Sequence, residues 1–215
     1  LVYTSLALLT IAPARSSADD WPQFRGPNAS GVYAGSKRLP TTFSHEQNVR
    51  WSVGLDEGIP SPVVAAGRVF TTAMVGPQKF AVFAFDEATG KQLWRRELDT
   101  GPLPPITLPN SHASSTPAAD AERVVVYFST LGLLAFDAAT GEPAWHVPLA
   151  VPQYLMDWGA AGSPILFEDM VIFNQDDDLD PYLLAVNKKT GKLHWRTDRS
   201  EMLGGYAVPV ICEAG

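Results

Sequence analysis

Cysteine is nearly absent from this chain. Cys212 stands alone, so neither an intrachain disulfide nor a cysteine-based zinc site is possible. Basic clusters are missing as well. The 16 lysines and arginines are scattered among 23 acidic residues, for a net charge of −7. A nucleic-acid or anionic-membrane surface needs a basic patch, so neither partner is expected. Long apolar runs are also lacking. The first stretch, "LVYTSLALLTIAPARSSA" (1–18), turns small and polar after Ile11 and is too short for a stable membrane span. Ser16 and Ala18 are the small residues a signal peptidase prefers. Residues 1–18 therefore read as a signal peptide without its basic start, with a buried N-terminal helix as the alternative. A lipoprotein signal would need a cysteine at the cleavage point, and none is there.

What the chain has in quantity is turn residues and short apolar runs. Apolar residues make up 46% of it, and 18 prolines and 17 glycines are spread along it. That composition supports a core and many turns, and predicts an all-β chain. Internal repetition then decides the architecture. "AFDEATGKQLW" (84–94) returns as "AFDAATGEPAW" (135–145) and "AVNKKTGKLHW" (185–195), with Gly90, Gly141 and Gly191 in register. Upstream of each copy lies a proline followed by an apolar pair: "SPVV" (61–64), "TPAA" (116–119) and "SPIL" (163–166). A fourth, "VPVI" (208–211), follows near the end of the chain.

Each repeat resolves into four short strands, in the second roughly 116–119, 123–129, 132–137 and 142–149. Four-stranded repeats of about 40–50 residues predict a β-propeller of antiparallel blades. Asp86, Asp137 and Asn187 are placed to accept backbone N–H groups of a tight turn. Gly90, Gly141 and Gly191 are placed to take positive φ there. Trp94, Trp145 and Trp195 then lie flat between one blade and the next. A phosphate loop is excluded, because Phe85 and Gln92 stand where its glycine and hydroxyl belong.

The pattern Ala-x-Asp-x-x-Thr-Gly-x-x-x-Trp resembles the tryptophan-docking motif of the quinoprotein-type, PQQ-like propeller repeats. The matching positions are Ala84, Asp86, Thr89, Gly90 and Trp94, then Ala135, Asp137, Thr140, Gly141 and Trp145, then Ala185, Asn187, Thr190, Gly191 and Trp195. "DWPQFRGPNASG" (20–31) is similar to the leading segment of secreted bacterial proteins of that kind. The resemblance implies seven or eight blades in a complete ring. The expected organisation is an N-terminal segment (19–48), a lone outermost strand (49–55) with Trp51 in the docking position, blades at 61–98, 116–149 and 163–198, and the start of a further blade at 206–215. On this reading the chain is a piece of a longer protein whose C-terminal blades are its first partners, and the piece alone is expected to aggregate or oligomerise through exposed blade faces.

Candidate chemistry lies at the end opposite the docking turns. His112 in "NSHASSTP" and Trp158 in "MDWGAAGSP" occupy equivalent connections into inner strands. The run "NQDDDLD" (174–180) joins the second and third strands of the third blade at the same end. Asp176, Asp178 and Asp180 are weak candidates for oxygen ligands to calcium, although the EF-hand pattern is absent and a solvated loop is the simpler reading. His45, His146 and His194 have no metal-ligand spacing. Asn28 opens a sequon, "NAS", relevant only in a eukaryotic secretory pathway, and Cys212 is expected to pack in an inner strand. No catalytic residue and no cofactor are expected. The resemblance includes outer-membrane assembly factors of the BamB type, and implies an exported bacterial protein, periplasmic or extracellular, that binds a protein, peptide or polysaccharide. The alternative it implies is a PQQ-dependent dehydrogenase with calcium. The adjacent cysteines of those enzymes are lacking here, and no aspartate matches their catalytic one.

Overall fold

The computed structural model describes residues 20–36, 38–202 and 204–213. The signal-peptide reading of residues 1–18 falls outside them. Three antiparallel four-stranded sheets carry the chain. The first comprises β1 (Val63–Ala65), β2 (Arg68–Gly76), β3 (Lys79–Asp86) and β4 (Gln92–Asp99). The second comprises β5 (Ala118–Ala119), β6 (Arg123–Phe128), β7 (Gly132–Asp137) and β8 (Pro143–Val147). The third comprises β9 (Ile165–Phe167), β10 (Met170–Gln175), β11 (Tyr182–Asn187) and β12 (Leu193–Asp198). Within each sheet the strands follow chain order, and the inner strands β1, β5 and β9 lie side by side. These are three blades of a propeller fanned around one axis.

Apolar residues on both faces of the middle strands form the core between blades. Phe70, Phe80 and Val82 of the first blade meet Val124, Val126 and Phe128 of the second, with Phe80 and Phe128 stacked at 4.2 Å. Val125, Tyr127 and Leu133 meet Val171, Phe173 and Leu184 across the next gap. Strands buried on both faces need apolar residues in succession, which is why "RVVVYF" does not alternate.

The recurring turn is built as its composition implies. Thr89 donates its N–H (2.9 Å) and its hydroxyl (2.6 Å) to Asp86 Oδ1, and Gly90 N–H donates to Asp86 O (2.9 Å). Asp137–Thr140 and Asn187–Thr190 repeat the set. Hydrogen bonds from Thr89 hold the Asp86 carboxyl below its ordinary range, and those from Thr140 do the same for Asp137. With depressed folded values, the stability these carboxylates add is complete above the unfolded carboxyl pKa of about 4 and is lost as pH falls through the folded values. Asn187 makes the same bonds without a charge. On acidification, the amide resonances of Thr89 and Thr140 are therefore expected to follow a carboxyl titration by NMR, while Thr190 stays still. Equal movement of all three would contradict this.

The glycines have a second duty. Gly141 has φ 72°, and a Cβ there would stand 2.6 Å from Cδ2 of Trp94, from the preceding blade. The same indole donates Nε1–H to Ala138 O at 3.1 Å. Trp145 docks likewise on Gly191 and Lys188 O (2.8 Å), and Trp51 on Gly90 and Glu87 O (2.8 Å). Each tryptophan thus docks on the turn of the following blade. The hydroxyl before each proline is a second fastener: Ser61 N–H donates to Thr116 Oγ1 (3.1 Å), and Thr116 N–H to Ser163 Oγ (3.0 Å).

Three sequence expectations change. Residues 49–55 form no strand, although Trp51 docks as expected, because no further strand lies alongside them among the described residues. Residues 206–213 form none either. They run extended across the third blade, with Val208 and Ile211 against Ile165, Ile172 and Ala185. Cys212 is consequently exposed rather than packed in an inner strand. The outer blade faces are also better covered than an open arc predicts. Phe83 and Phe85 are buried on the face that Trp51 covers, whereas Leu193 and Trp195 on β12 are exposed.

Candidate functional site

Each blade has two unlike ends. At one, the docking turn lies beside the β1–β2 type of turn: Glu87 N–H donates to Gly67 O, Ala138 N–H to Glu122 O and Lys188 N–H to Asp169 O. At the other end, the connections between blades (100–117 and 148–164) meet the turns between second and third strands. A cavity of about 310 Å³ opens there. Pro104, Pro105, Ile106, Val151 and Pro152 supply apolar walls, and His112, Ser129, Gln153, Tyr154 and Asp157 supply polar ones.

The polar side chains of that wall make no hydrogen bond among the described residues. Ser129 is 6% exposed and lines the cavity. Desolvation pushes the His112 imidazole below its ordinary pKa, against a smaller upward pull from Glu57. His112 is therefore neutral at pH 7 and offers one donor and one acceptor. Burial pushes the Tyr154 phenol well above its usual value, so it stays a hydroxyl. No lysine or arginine lines the cavity.

The aspartate run supports this wall. Asp176 and Asp177 are 4% and 3% exposed, which corrects the solvated-loop expectation for the first part of the run, while Asp178 and Asp180 are exposed. The burial of Asp176 and Asp177 is satisfied. Asp176 receives Arg199 through two nitrogens (2.7 and 3.2 Å) and the Asn174 amide (2.7 Å). Asp177 accepts the N–H groups of Gln153 (3.0 Å) and Asp180 (2.9 Å). Asp178 accepts the Leu155 N–H (2.7 Å), and Asp180 pairs with Arg196 (2.7 Å). Asp176, Asp178 and Asp180 thus face three different partners, and no group of three His, Cys, Asp or Glu able to hold a metal occurs among the described residues. Gly205 N–H donates to Asp176 O (2.9 Å), which seats Tyr206 against Tyr154 with ring centres 5.3 Å apart.

His112 and the aspartate run therefore share one end, as their connections imply. Trp158 is 52% exposed beside the cavity, held through its carbonyl by the Asn110 amide (2.5 Å), and does not line the space. Ser129, Gln153, Tyr154 and Asp157 were not singled out from the sequence. Their signal was positional: Ser129 lies in the turn between the second and third strands of the second blade, and Gln153, Tyr154 and Asp157 lie in the next connection between blades, at the same end as His112. His146 and His194 sit exposed on outer strands and His45 on the N-terminal side, apart from one another.

A family model described as the outer membrane protein assembly factor BamB matches residues 44–159 and 78–211. Among solved structures, a quinohemoprotein alcohol dehydrogenase from Pseudomonas putida HK5 is similar at 23% identity and a TM-score of 0.58, over 84% of this chain and 27% of that one. One from Comamonas testosteroni is similar at 23% identity and 0.54, over 84% and 27%. A europium-containing methanol dehydrogenase is similar at 17% identity and 0.50, over 85% and 32%. These likenesses concern the fold, and the chain spans about a quarter to a third of those enzymes. No curated protein matches the sequence.

Proposed function

The chain belongs to the family described as the outer membrane protein assembly factor BamB, and on that premise we propose that it is a binding propeller and not an enzyme, holding a protein partner through the cavity at the connection end of its blades. The carrying observation is the set of polar side chains there, His112, Ser129, Gln153, Tyr154 and Asp157, left without internal hydrogen bonds beside apolar proline walls. Such a mixture suits an exposed peptide segment, whose amides and hydroxyls satisfy the wall while its apolar side chains cover the prolines. With Asp157 present, no cation in the lining and a net charge of −7, a neutral or basic segment is favoured over an acidic one. Export to the periplasm or beyond is part of the same reading. It is supported by the apolar, small-residue leader at 1–18 and by the family's name. No helix among the described residues is long and apolar enough to cross a membrane.

Pyrroloquinoline quinone fits this cavity poorly. It is a polycarboxylate normally held with a metal ion, and the lining offers neither lysine nor arginine nor a cluster of metal-ligating groups.

A random heptapeptide phage library, panned on the immobilised full chain, tests the reading. Selected peptides poor in aspartate and glutamate are expected. They should bind about tenfold more weakly to Gln153→Ala/Asp157→Ala, which removes two of the hydrogen-bonding partners. Peptides indifferent to those substitutions would overturn it. So would binding of neutral oligosaccharides at the cavity in place of peptides, or stoichiometric uptake of the quinone with calcium and turnover of an alcohol.

A further inference from the structure

The innermost strand of a blade has an edge facing the axis, and its unpaired N–H groups must find partners. Val64, Ala119, Leu166 and Ile211 occupy the same place, two residues after Pro62, Pro117, Pro164 and Pro209. All four amides are taken by one short stretch near the start of the chain. Val64 N–H donates to Trp21 O (2.8 Å), and Trp21 N–H returns a bond to Val64 O (2.8 Å). Ala119 N–H donates to Pro22 O at 2.8 Å. Leu166 N–H donates to Gln23 Oε1 at 3.3 Å. Ile211 N–H donates to Asn28 Oδ1 (2.7 Å), while Asn28 Nδ2–H donates to Ile211 O (2.9 Å), so the side-chain amide stands in for a strand.

The order of partners along the stretch is the order of the blades around the axis. The stretch is shaped for this place. Gly26 has φ 72°, and a Cβ on it would stand 2.6 Å from Cδ2 of Trp21. Gln23, a polar side chain, is 4% exposed at the axis. The Val64, Ala119 and Leu166 amides each lie one or two residues before the turn that neighbours a docking turn, so the stretch covers the end of the axis opposite the cavity.

We propose that residues 20–28 are an axial clasp. They act as a built-in ligand for the inner edges of the blades, which closes this end of the axis and ties the 208–211 segment to the three inner strands. Fasteners between neighbouring blades, the docked tryptophans and the Ser/Thr bonds, join each blade to the next. The clasp hydrogen-bonds to all four inner segments.

Amide hydrogen exchange on the full chain, read by NMR, tests this. Asn28→Ala is expected to accelerate exchange at Ile211 about tenfold while leaving Leu166 at its original rate, and Gln23→Ala is expected to do the reverse. In both variants Phe70, Val126 and Ile172, in the second strands of the blades, should keep their rates. Unchanged exchange at Ile211 and Leu166, within about twofold, would show that other groups protect these edges and would overturn the clasp. Equal acceleration at every strand amide would also overturn it, because the two side chains would then act through overall stability. Asn28 is exposed and Gln23 contributes one long bond, so both variants are expected to fold.

Discussion

Replacing Trp94 by alanine is expected to cost about 3–5 kcal/mol of stability, the largest effect of any docking tryptophan. Trp94 is 6% exposed and lies between Phe70 of its own blade (5.9 Å) and Phe136 of the next (6.5 Å). Its removal leaves a cavity between two blades and an unpaired Ala138 carbonyl where the indole bonds at 3.1 Å. The loss is therefore felt on both sides of the gap. Trp145 and Trp51 make the same contacts with less burial and should cost less. Trp195 is 38% exposed and makes no indole hydrogen bond among the described residues, so Trp195→Ala should stay within about 1 kcal/mol. Urea denaturation of the four variants ranks them. Equal losses for Trp94 and Trp195 would mean that docking is not what the tryptophans contribute.

Arg199→Leu is expected to cost about 3 kcal/mol, through Asp176 and not through Arg199 itself. The Asp176 side chain is 5% exposed, and the guanidinium, 30% exposed, reaches it through Nε at 2.7 Å. Without it, a buried carboxylate keeps only the Asn174 amide, and an uncompensated buried charge is costly. Adding Asp176→Leu to the variant should recover part of the loss, because no charge is then left behind. The Asp176 carbonyl also holds Gly205, so Tyr206 should loosen against Tyr154 and the cavity wall with it. Millimolar calcium should restore nothing. Recovery of the original denaturation midpoint with calcium would return the aspartate run to the metal reading.

The docking turn was legible because all its parts lie within eleven residues. Asp86, Thr89 and Gly90 announce a turn by residue type alone, and three copies in register establish the blade. The aspartate run misled for the opposite reason. In sequence, Asp176, Asp177, Asp178 and Asp180 are equivalent charges on a loop. Their fates differ because Arg199, the Gln153 and Leu155 amides, and Arg196 arrive from elsewhere in the chain. The unpaired wall of the cavity was invisible for a similar reason, since a hydroxyl such as Ser129 is distinguished only by what fails to reach it.

The sequence by itself determined the blade, its four strands, its turn and the direction in which each tryptophan points, since these follow from local backbone preferences and a repeated pattern. The tertiary structure alone decided that each tryptophan rests on the next blade's glycine, that Ser61, Thr116 and Ser163 link neighbouring inner strands, and that Trp21 to Asn28 lie along the axis. Those contacts join residues from 36 to 183 positions apart. Strand edges and buried carbonyls must be satisfied by whatever the closed-up chain brings near, and which group arrives is settled only when the blades are packed.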